Sequence, residues 1–395
     1  MNLNPTKQEL ENRISKLFNT LSKSEYNFDT AIIVSKVNQY YFTGTMQDGI
    51  LIIRRDGKVT YFARKSYERA KLECPLDIIY KMSTYKDMLE VIPTYLGNTF
   101  IETEIVPISM LERIKKYFSM EKINSIDRII LSLRAIKSEY ELGILTESGK
   151  QHQYLLENIV PGILKEGMSE PDFLTELYSR MVKLGHHGVS RFSMFQIELI
   201  VGQVGFGESS IYPTNFDGPG GMQGMSPAVP IIGNRKRYLK KGDLVFVDVG
   251  YGIRGYHSDK TQVYSYGTNP DEEVVKVHKA CIDVLTEITS LIKINKIPSD
   301  IYNKIMRDLP DRLSQNFMGY RESVKFLGHG VGLHIDEMPV IANGFKLPLE
   351  ENMVIALEPK CGMKGVGTVG VEETYVVKAE GAICLTGGPR EIIVV

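Results

Sequence analysis

The chain has 395 residues, too many for one ordinary hydrophobic core, so two domains are expected. Apolar residues make up 43 % and charged residues 24 %, the mix of a globular protein, and a formal net charge of −1 argues against a basic nucleic-acid surface. No run of about 18 uncharged apolar residues is present to span a membrane, the start MNLNPTKQELENR lacks an apolar signal core, and Cys74, Cys281, Cys361 and Cys384 have no CxxC spacing, so free thiols and a cytoplasmic location are expected.

In chain order, Leu10, Ile14, Leu17 and Leu21 recur at helical spacing and predict a helix over 7–24. AIIVS (31–35) reads as a buried strand, and ILIIRRDGKVTYFA (50–63) as a hairpin turning at Asp56-Gly57. A helical stretch follows around 109–120. Residues 138–160 predict a long joining helix, with Ser138 and Glu141 in capping-box spacing. Only Gly44, Gly49, Gly57, Gly97, Gly143 and Gly149, of 35 glycines, fall in the first 150 residues. The later part therefore needs many tight turns and close backbone approaches. This shift is the best signal of a domain boundary, and domains 1–135 and 136–395 are expected. In the second domain LVFVDVG (244–250) is a strand returning through YHSDKTQVYSYG, helices are predicted over 271–293 and 299–317, and KFLGHGVGL, NMVIALEP and GVEETYVVKAEG supply further strands and loops.

Four carboxylates and one imidazole in this second part carry the chemistry. Asp248 closes an apolar strand, a place where a lone Asp is usually a cap or turn residue. Asp259 follows eleven residues later on the returning strand. If both point to one face, the two charges repel unless something positive lies between them. His329 sits between two glycines that permit close backbone approach. Glu358 follows the apolar run MVIAL, in the segment LEPK, where burial without a partner is costly. Glu372 and Glu373 are adjacent on a strand and face opposite ways; spacing does not say which one faces the site.

GDLVFVDVG…GYHSDKTQ, FLGHGVGL…DEMP, IALEP and GVEETYVV, in this order, resemble the pita-bread metallopeptidase superfamily, which includes methionine aminopeptidase, Xaa-Pro aminopeptidase, prolidase and creatinase. NQYYFTGTMQDGILIIRRDG resembles the creatinase-type N-terminal domain, and RAIKSEYELGIL (134–145) the segment between domains, so the resemblance covers nearly the whole chain. It implies an α+β protein, with a creatinase-like N-terminal α/β domain followed by a pita-bread C-terminal domain. It implies metal ligands at Asp248, Asp259, His329, Glu358 and Glu372; the family motif sets the ligand two residues before a Thr, which selects Glu372 over Glu373. Two divalent ions are expected, and an oxygen-rich set with one imidazole suits Mn, Co, Zn or Fe. With them come a bridging water, Glu358 as general base, and hydrolysis of a peptide bond near the N-terminus of a peptide or small amide, of Xaa-Pro aminopeptidase or dipeptidase type. A homodimer is expected, with no nucleic-acid or membrane partner.

The chain departs from the pattern on the substrate side. The family's His-Glu pair after GHG is Asp336-Glu337 here, no His lies between His187 and His257, and Gly370 stands where many prolidase-like members carry Arg. Either His334, two residues from Asp336, compensates from the same face of a strand, or Asp336 itself faces the pocket and selects another substrate, for example a cationic amine. The loop FDGPGGMQG (216–224) reads as pocket lining or an ordinary turn, His257 as a residue behind the site or at the surface, and His186 and His187 as part of no motif. Two other classes stay in view: a metal-free hydrolase of a small C–N compound and a non-catalytic binding protein on the same fold.

Overall fold

A computed structural model describes residues 4–23 and 25–395. Ser24, the last residue of the helix expected over 7–24, and the first three residues of the polar start lie outside the described residues. The chain divides into two compact units, Met1–Arg134 and Ala135–Val395.

The first unit is built on a six-stranded sheet. Its strands are β1 (Thr30–Ile33), β2 (Gly49–Arg54), β3 (Val59–Ala63), β4 (Ile79–Lys81), β5 (Asn98–Ile101) and β6 (Lys122–Ser125), in the order β4-β3-β2-β1-β5-β6. The β2–β3 hairpin turns at Asp56-Gly57, where Gly57 takes φ +86° in open space. Ile32, Ile50, Ile52, Phe62 and Ile101 form its core with residues of the helical segments. The first helix runs Lys7–Leu21, with the Thr6 side chain accepting from the Glu9 N–H. The stretch expected around 109–120 is helical over Ile108–Lys115.

The second unit opens with helix Glu139–Tyr154, where Ser138 and Glu141 form the expected capping box. The helix continues through a π turn, Leu155–Ile159, into Val160–Ile163. Pro161 has no N–H to offer the preceding turn, which accounts for the widened ladder there.

Its strands are β7 (Gly202–Phe206), β8 (Leu244–Ile253), β9 (Tyr256–Ser265), β10 (Gly319–Tyr320), β11 (Glu322–Ser323), β12 (Phe326–Gly330), β13 (Glu337–Ala342), β14 (Val354–Leu357), β15 (Lys360–Met363), β16 (Gly367–Gly370), β17 (Glu373–Lys378), β18 (Gly381–Cys384) and β19 (Ile393–Val394). One sheet has the order β19-β9-β8-β7 and another β13-β12-β14-β17-β18, with β15-β16 and β10-β11 as separate pairs. Strand β8 is buried on both faces. Val245, Val247, Val249 and Tyr251 pack with Phe173, Leu177 and Met181 of the helix Glu170–Lys183. Leu244 and Phe246 face the other way, into a core shared with Val277, Cys281, Leu285 and Ile288 of the helix Glu272–Leu291. Period two then puts Asp248 on the Phe246 face, at the end of an apolar layer.

Two expectations need correction. The helix expected over 299–317 spans Pro298–Arg307 and is followed by a separate 3-10 turn, Asp311–Leu313. Pro310 disfavours helical geometry in the residue before it and ends the run. The GHGVGL strand ends at Gly330; residues 332–336 form bends, and pairing resumes only at Glu337. His334 and Asp336 therefore do not share a strand face.

Candidate metal centre

The β8–β9 register places Asp248 opposite Thr261 and Gly250 opposite Asp259. The two aspartates are thus diagonal neighbours on one face. Across the site, β14 and β17 pair with Leu357 opposite Glu373. One step further along the same antiparallel ladder brings Glu358 and Glu372 together just beyond the strand ends. His329 comes from β12, opposite Ala356. Both glycines beside it are required by close approach. A Cβ at Gly328 would lie 2.2 Å from the Ala356 carbonyl oxygen, and one at Gly330 2.1 Å from that of Met338.

Two ligand groups result. One ligand atom each from Asp259, His329 and Glu372 lie within 4.8 Å of one another, and so do atoms of Asp248, Glu358 and Glu372. His329 Nε2 is 3.4 Å from Glu358 Oε1 and 3.9 Å from Glu372 Oε1. Thr261 Oγ1 donates to Glu372 Oε2 at 3.0 Å, and Thr374 Oγ1 both accepts from the Asp259 N–H and donates to its carbonyl oxygen. These threonines lock β9 to β17 and so fix the carboxylates.

Sequence reasoning missed one central residue, Lys360. Its Nζ, fully buried, donates to Asp248 Oδ2 at 2.8 Å, Glu358 Oε2 at 2.8 Å and Glu372 Oε2 at 2.7 Å. A signal was available, since Lys360 follows Glu358 by two residues and period two sets both on one side. Room for the side chain comes from its cross-strand partner Gly370. There φ is +130°, and a Cβ would lie 2.6 Å from Lys360 Cα and 3.1 Å from Lys360 Cγ.

Burial and crowding set the charges. Burial pushes the Asp248 carboxyl up to about 7; the Glu372 charge adds to this and the Lys360 ammonium opposes it. Burial, then Glu372 and Asp248, push Asp259 well up. Burial pulls the His329 imidazole down, but its bond to Glu358 and the surrounding carboxylates outweigh this and raise it to about 10. Such a cluster calls for positive charge beyond that of Lys360.

A divalent cation fits the Asp259–His329–Glu372 group. Glu372 Oε1 is buried with no hydrogen-bond partner among the described residues, and a buried carboxylate oxygen left bare is costly unless a cation takes it. Oxygen donors with one imidazole suit Mn, Co, Fe or Zn.

Glu373 lies on the opposite face, as alternation requires. Its carboxylate accepts from Arg390 Nη2 at 2.7 Å, Tyr375 Oη at 2.6 Å and Lys260 Nζ at 3.4 Å. Burial would raise its pKa, but Lys260 and Arg390 bring the net shift below the ordinary range.

On the substrate side, Asp336 Oδ1 accepts from the Ser193 N–H and Oδ2 from Ser193 Oγ, both at 2.8 Å. The Ile335 N–H adds a bond to the Arg191 carbonyl at 2.8 Å, so the bend and the loop before it are tied together. Burial raises the Asp336 carboxyl, while its bonds to Ser193 and the His329 charge pull it part of the way back down. His334 is half-buried in the same bend, and its N–H donates to Glu337 Oε1 at 2.7 Å. Glu337 in turn lies 3.6 Å from the buried Lys137 Nζ. In the glycine-rich loop, burial and then the Glu358 charge raise the Asp217 carboxyl.

His186 and His187, which belong to no motif, and His257, expected behind the site or at the surface, form a largely buried aromatic cluster. The rings of His186 and His187 stack at 5.1 Å, and His187 meets His257 edge-on at 4.8 Å. His187 Nδ1 accepts from the Gly255 N–H, which puts its proton on Nε2, 2.8 Å from the Val189 carbonyl and 3.2 Å from His257 Nε2. His257 Nδ1 donates to the Gly332 carbonyl at 3.0 Å. Burial first, and neighbouring cationic forms second, hold His187 near 2. Burial likewise lowers His257 to about 3 and His186 to about 4.

A two-unit α+β chain with a carboxylate–imidazole cage between paired strands is a metallohydrolase architecture. The family model for metallopeptidase family M24 matches residues 144–379, and the model for the creatinase/prolidase N-terminal domain matches 13–136. The chain belongs to metallopeptidase family M24, with the creatinase-type first domain and the pita-bread second domain expected from its sequence. It is 25 % identical over 392 residues to the Xaa-Pro dipeptidase of Pyrococcus furiosus, covering 97 % of this chain and 100 % of that protein. The prolidase structure from Pyrococcus horikoshii superposes with a TM-score of 0.78 at 22 % identity, covering 97 % of this chain and 100 % of the other. The X-Pro aminopeptidase structure from Thermotoga maritima gives 0.76 at 23 % identity, over 97 % and 99 %. Among the described residues no helix is long and apolar enough to cross a membrane.

Proposed function

We propose that the protein hydrolyses a peptide bond near the N-terminus of a short peptide, with Xaa-Pro dipeptides as the first substrates to test. The convergence of Asp248, Asp259, His329, Glu358 and Glu372 from separate strands carries this reading, and the names of the related Xaa-Pro dipeptidase and prolidase supply the substrate class. Asp259, His329 and Glu372, with Glu358 beside them, are the residues to hold a divalent ion of Mn, Co, Fe or Zn. When bound, such an ion polarises a scissile carbonyl and acidifies a water.

The chain's own groups do the rest. Glu358 takes the proton from the attacking water and returns it to the departing amine. Its Oε2 is held by Lys360, which leaves Oε1, 3.4 Å from His329 Nε2, as the oxygen for this transfer. Asp336, bonded through both oxygens to Ser193, positions the loop over the site, and His334 is the candidate for substrate contact. The free cysteines Cys74, Cys281, Cys361 and Cys384 support a cytoplasmic location. The homodimer rests on the resemblance and is tested by sedimentation.

A peptide-library cleavage assay with Mn, Co and Zn added separately tests the reading. Release of N-terminal residues or splitting of Xaa-Pro dipeptides, lost in chelator and restored by metal, is expected. Absence of cleavage of any peptide by metal-loaded protein would overturn it. One observation favours a second reading, a hydrolase of a small C–N compound that works without metal: the Lys360 ammonium already supplies positive charge inside the cage. Metal analysis of active protein separates the two.

A further inference from the structure

We infer that Lys360 occupies one of the two cation positions of the cage, so that the centre takes a single divalent ion. This deepens the metallopeptidase reading and rests on it for the first ion only. Two ions are the number expected from the family resemblance. The residues present do not fit the second.

An ammonium has three protons, and here each goes to a different carboxylate, at 2.7, 2.8 and 2.8 Å. These are the lengths of charge-assisted N–H···O bonds, and no donor is left over. The three acceptors are Asp248, Glu358 and Glu372, which are the whole of the second ligand group. A divalent ion binds carboxylate oxygen at about 2.0–2.2 Å and would need the volume that Nζ fills. Moving Nζ away would leave a buried charge among Phe246, whose ring centre is 5.9 Å off, and the strand backbone.

The lysine is also built in from the opposite strand. Gly370, facing Lys360 across the β15–β16 pair, has the φ and the empty Cβ position that let the side chain lie flat into the cage. Meanwhile Glu372 divides its oxygens between the two positions. Oε2 receives Lys360 and Thr261, and Oε1 stays bare toward His329 and Asp259. Four carboxylates, one ammonium and one divalent ion leave a single negative charge. A second divalent ion beside the ammonium would leave a positive one.

The test is metal stoichiometry, not activity. Chelator-stripped protein is reloaded with excess Mn, passed through a desalting column and measured by inductively coupled plasma mass spectrometry and by electron paramagnetic resonance. Wild type should hold one Mn per chain with an uncoupled six-line signal. Lys360→Ala and Lys360→Gly should rise to two per chain with an exchange-coupled signal. Two ions or a coupled pair in wild type would overturn the inference, and so would no ion at all. A folded Lys360→Ala that stays at one ion would overturn it as well. Should both variants fail to fold, the wild-type count and spectrum still decide. Two ions with peptide cleavage would leave the peptidase reading standing without this inference; one ion without cleavage would do the reverse.

Discussion

Glu372 and Glu373 are neighbours in sequence, both buried, and opposite in character. Glu373 closes its hydrogen bonds completely, with Arg390, Tyr375 and Lys260 around it. Glu372 keeps one oxygen without a hydrogen-bond partner among the described residues, inside a cluster whose negative charge exceeds the one ammonium among it. A structural ion pair satisfies every group it buries, whereas a site for a ligand keeps polar atoms of defined chemistry unpaired within the protein. The same strand carries both because its side chains alternate between faces.

The sharpest way to break this contrast is to disable the ligand-facing side. Glu358→Gln should lower kcat by on the order of 10²–10⁴-fold, the span of a general base, measured on whichever peptide the library assay identifies. Unchanged turnover would remove Glu358 from its proposed role. Glu373→Gln should act on the other observable. Lys260 is almost fully buried, and removing the partner of a buried charge costs about 3–5 kcal/mol. The urea midpoint should fall accordingly while the Mn count per chain stays as in wild type. A loss of metal with no loss of stability would mean that the two faces are not separate in function.

The histidine cluster sharpens the contrast from a third direction, since it is buried polar structure without charge. His187, His257 and His186 sit near 2, 3 and 4 when folded, against about 6.5 when unfolded. Only the unfolded chain takes up protons between these values, so falling pH favours unfolding. Their contribution is complete above about pH 6.5 and is lost progressively as pH drops toward the folded values, at up to about 1.4 kcal/mol per pH unit per histidine. Urea midpoints at pH 7.5, 6 and 5 should fall in that order, and His187→Gln should flatten the slope. Midpoints that do not move would show the cluster to be open to solvent protons.

Much of this was legible in the sequence, for reasons particular to each residue. The five cage residues stand in short motifs whose order and spacing are unusual, and the glycines around His329 announce the close packing that the structure shows. The hairpin that brings Asp248 and Asp259 to one face follows from an apolar run and its return. Lys360 was not legible in the same way, because a lysine after Pro359 is ordinarily solvated, and nothing local says that Gly370 lies across from it. That pairing depends on the β15–β16 register, which joins residues ten apart through a turn. The bend at 332–336 is not legible because GHGVGL has the composition of a strand, while the bonds of Ile335 and Asp336 go to a distant loop at Arg191 and Ser193.

Two substitutions in that bend separate the positioning role of Asp336 from a role in substrate contact. Asparagine has the same shape, and its oxygen can accept the Ser193 N–H while its amide donates to Ser193 Oγ. Asp336→Asn therefore removes the charge and keeps the tie; Asp336→Ala removes both. If the carboxylate chiefly positions the loop, Asn should behave as wild type, and Ala should loosen residues 189–193 by roughly 1–3 kcal/mol, the cost of bonds to a charged group, seen as faster amide exchange there. If the charge meets a cationic substrate amine, Asn should raise KM as much as Ala does with the loop still protected. The bonds to Ser193 favour the first outcome, because both carboxylate oxygens are already engaged before any substrate arrives.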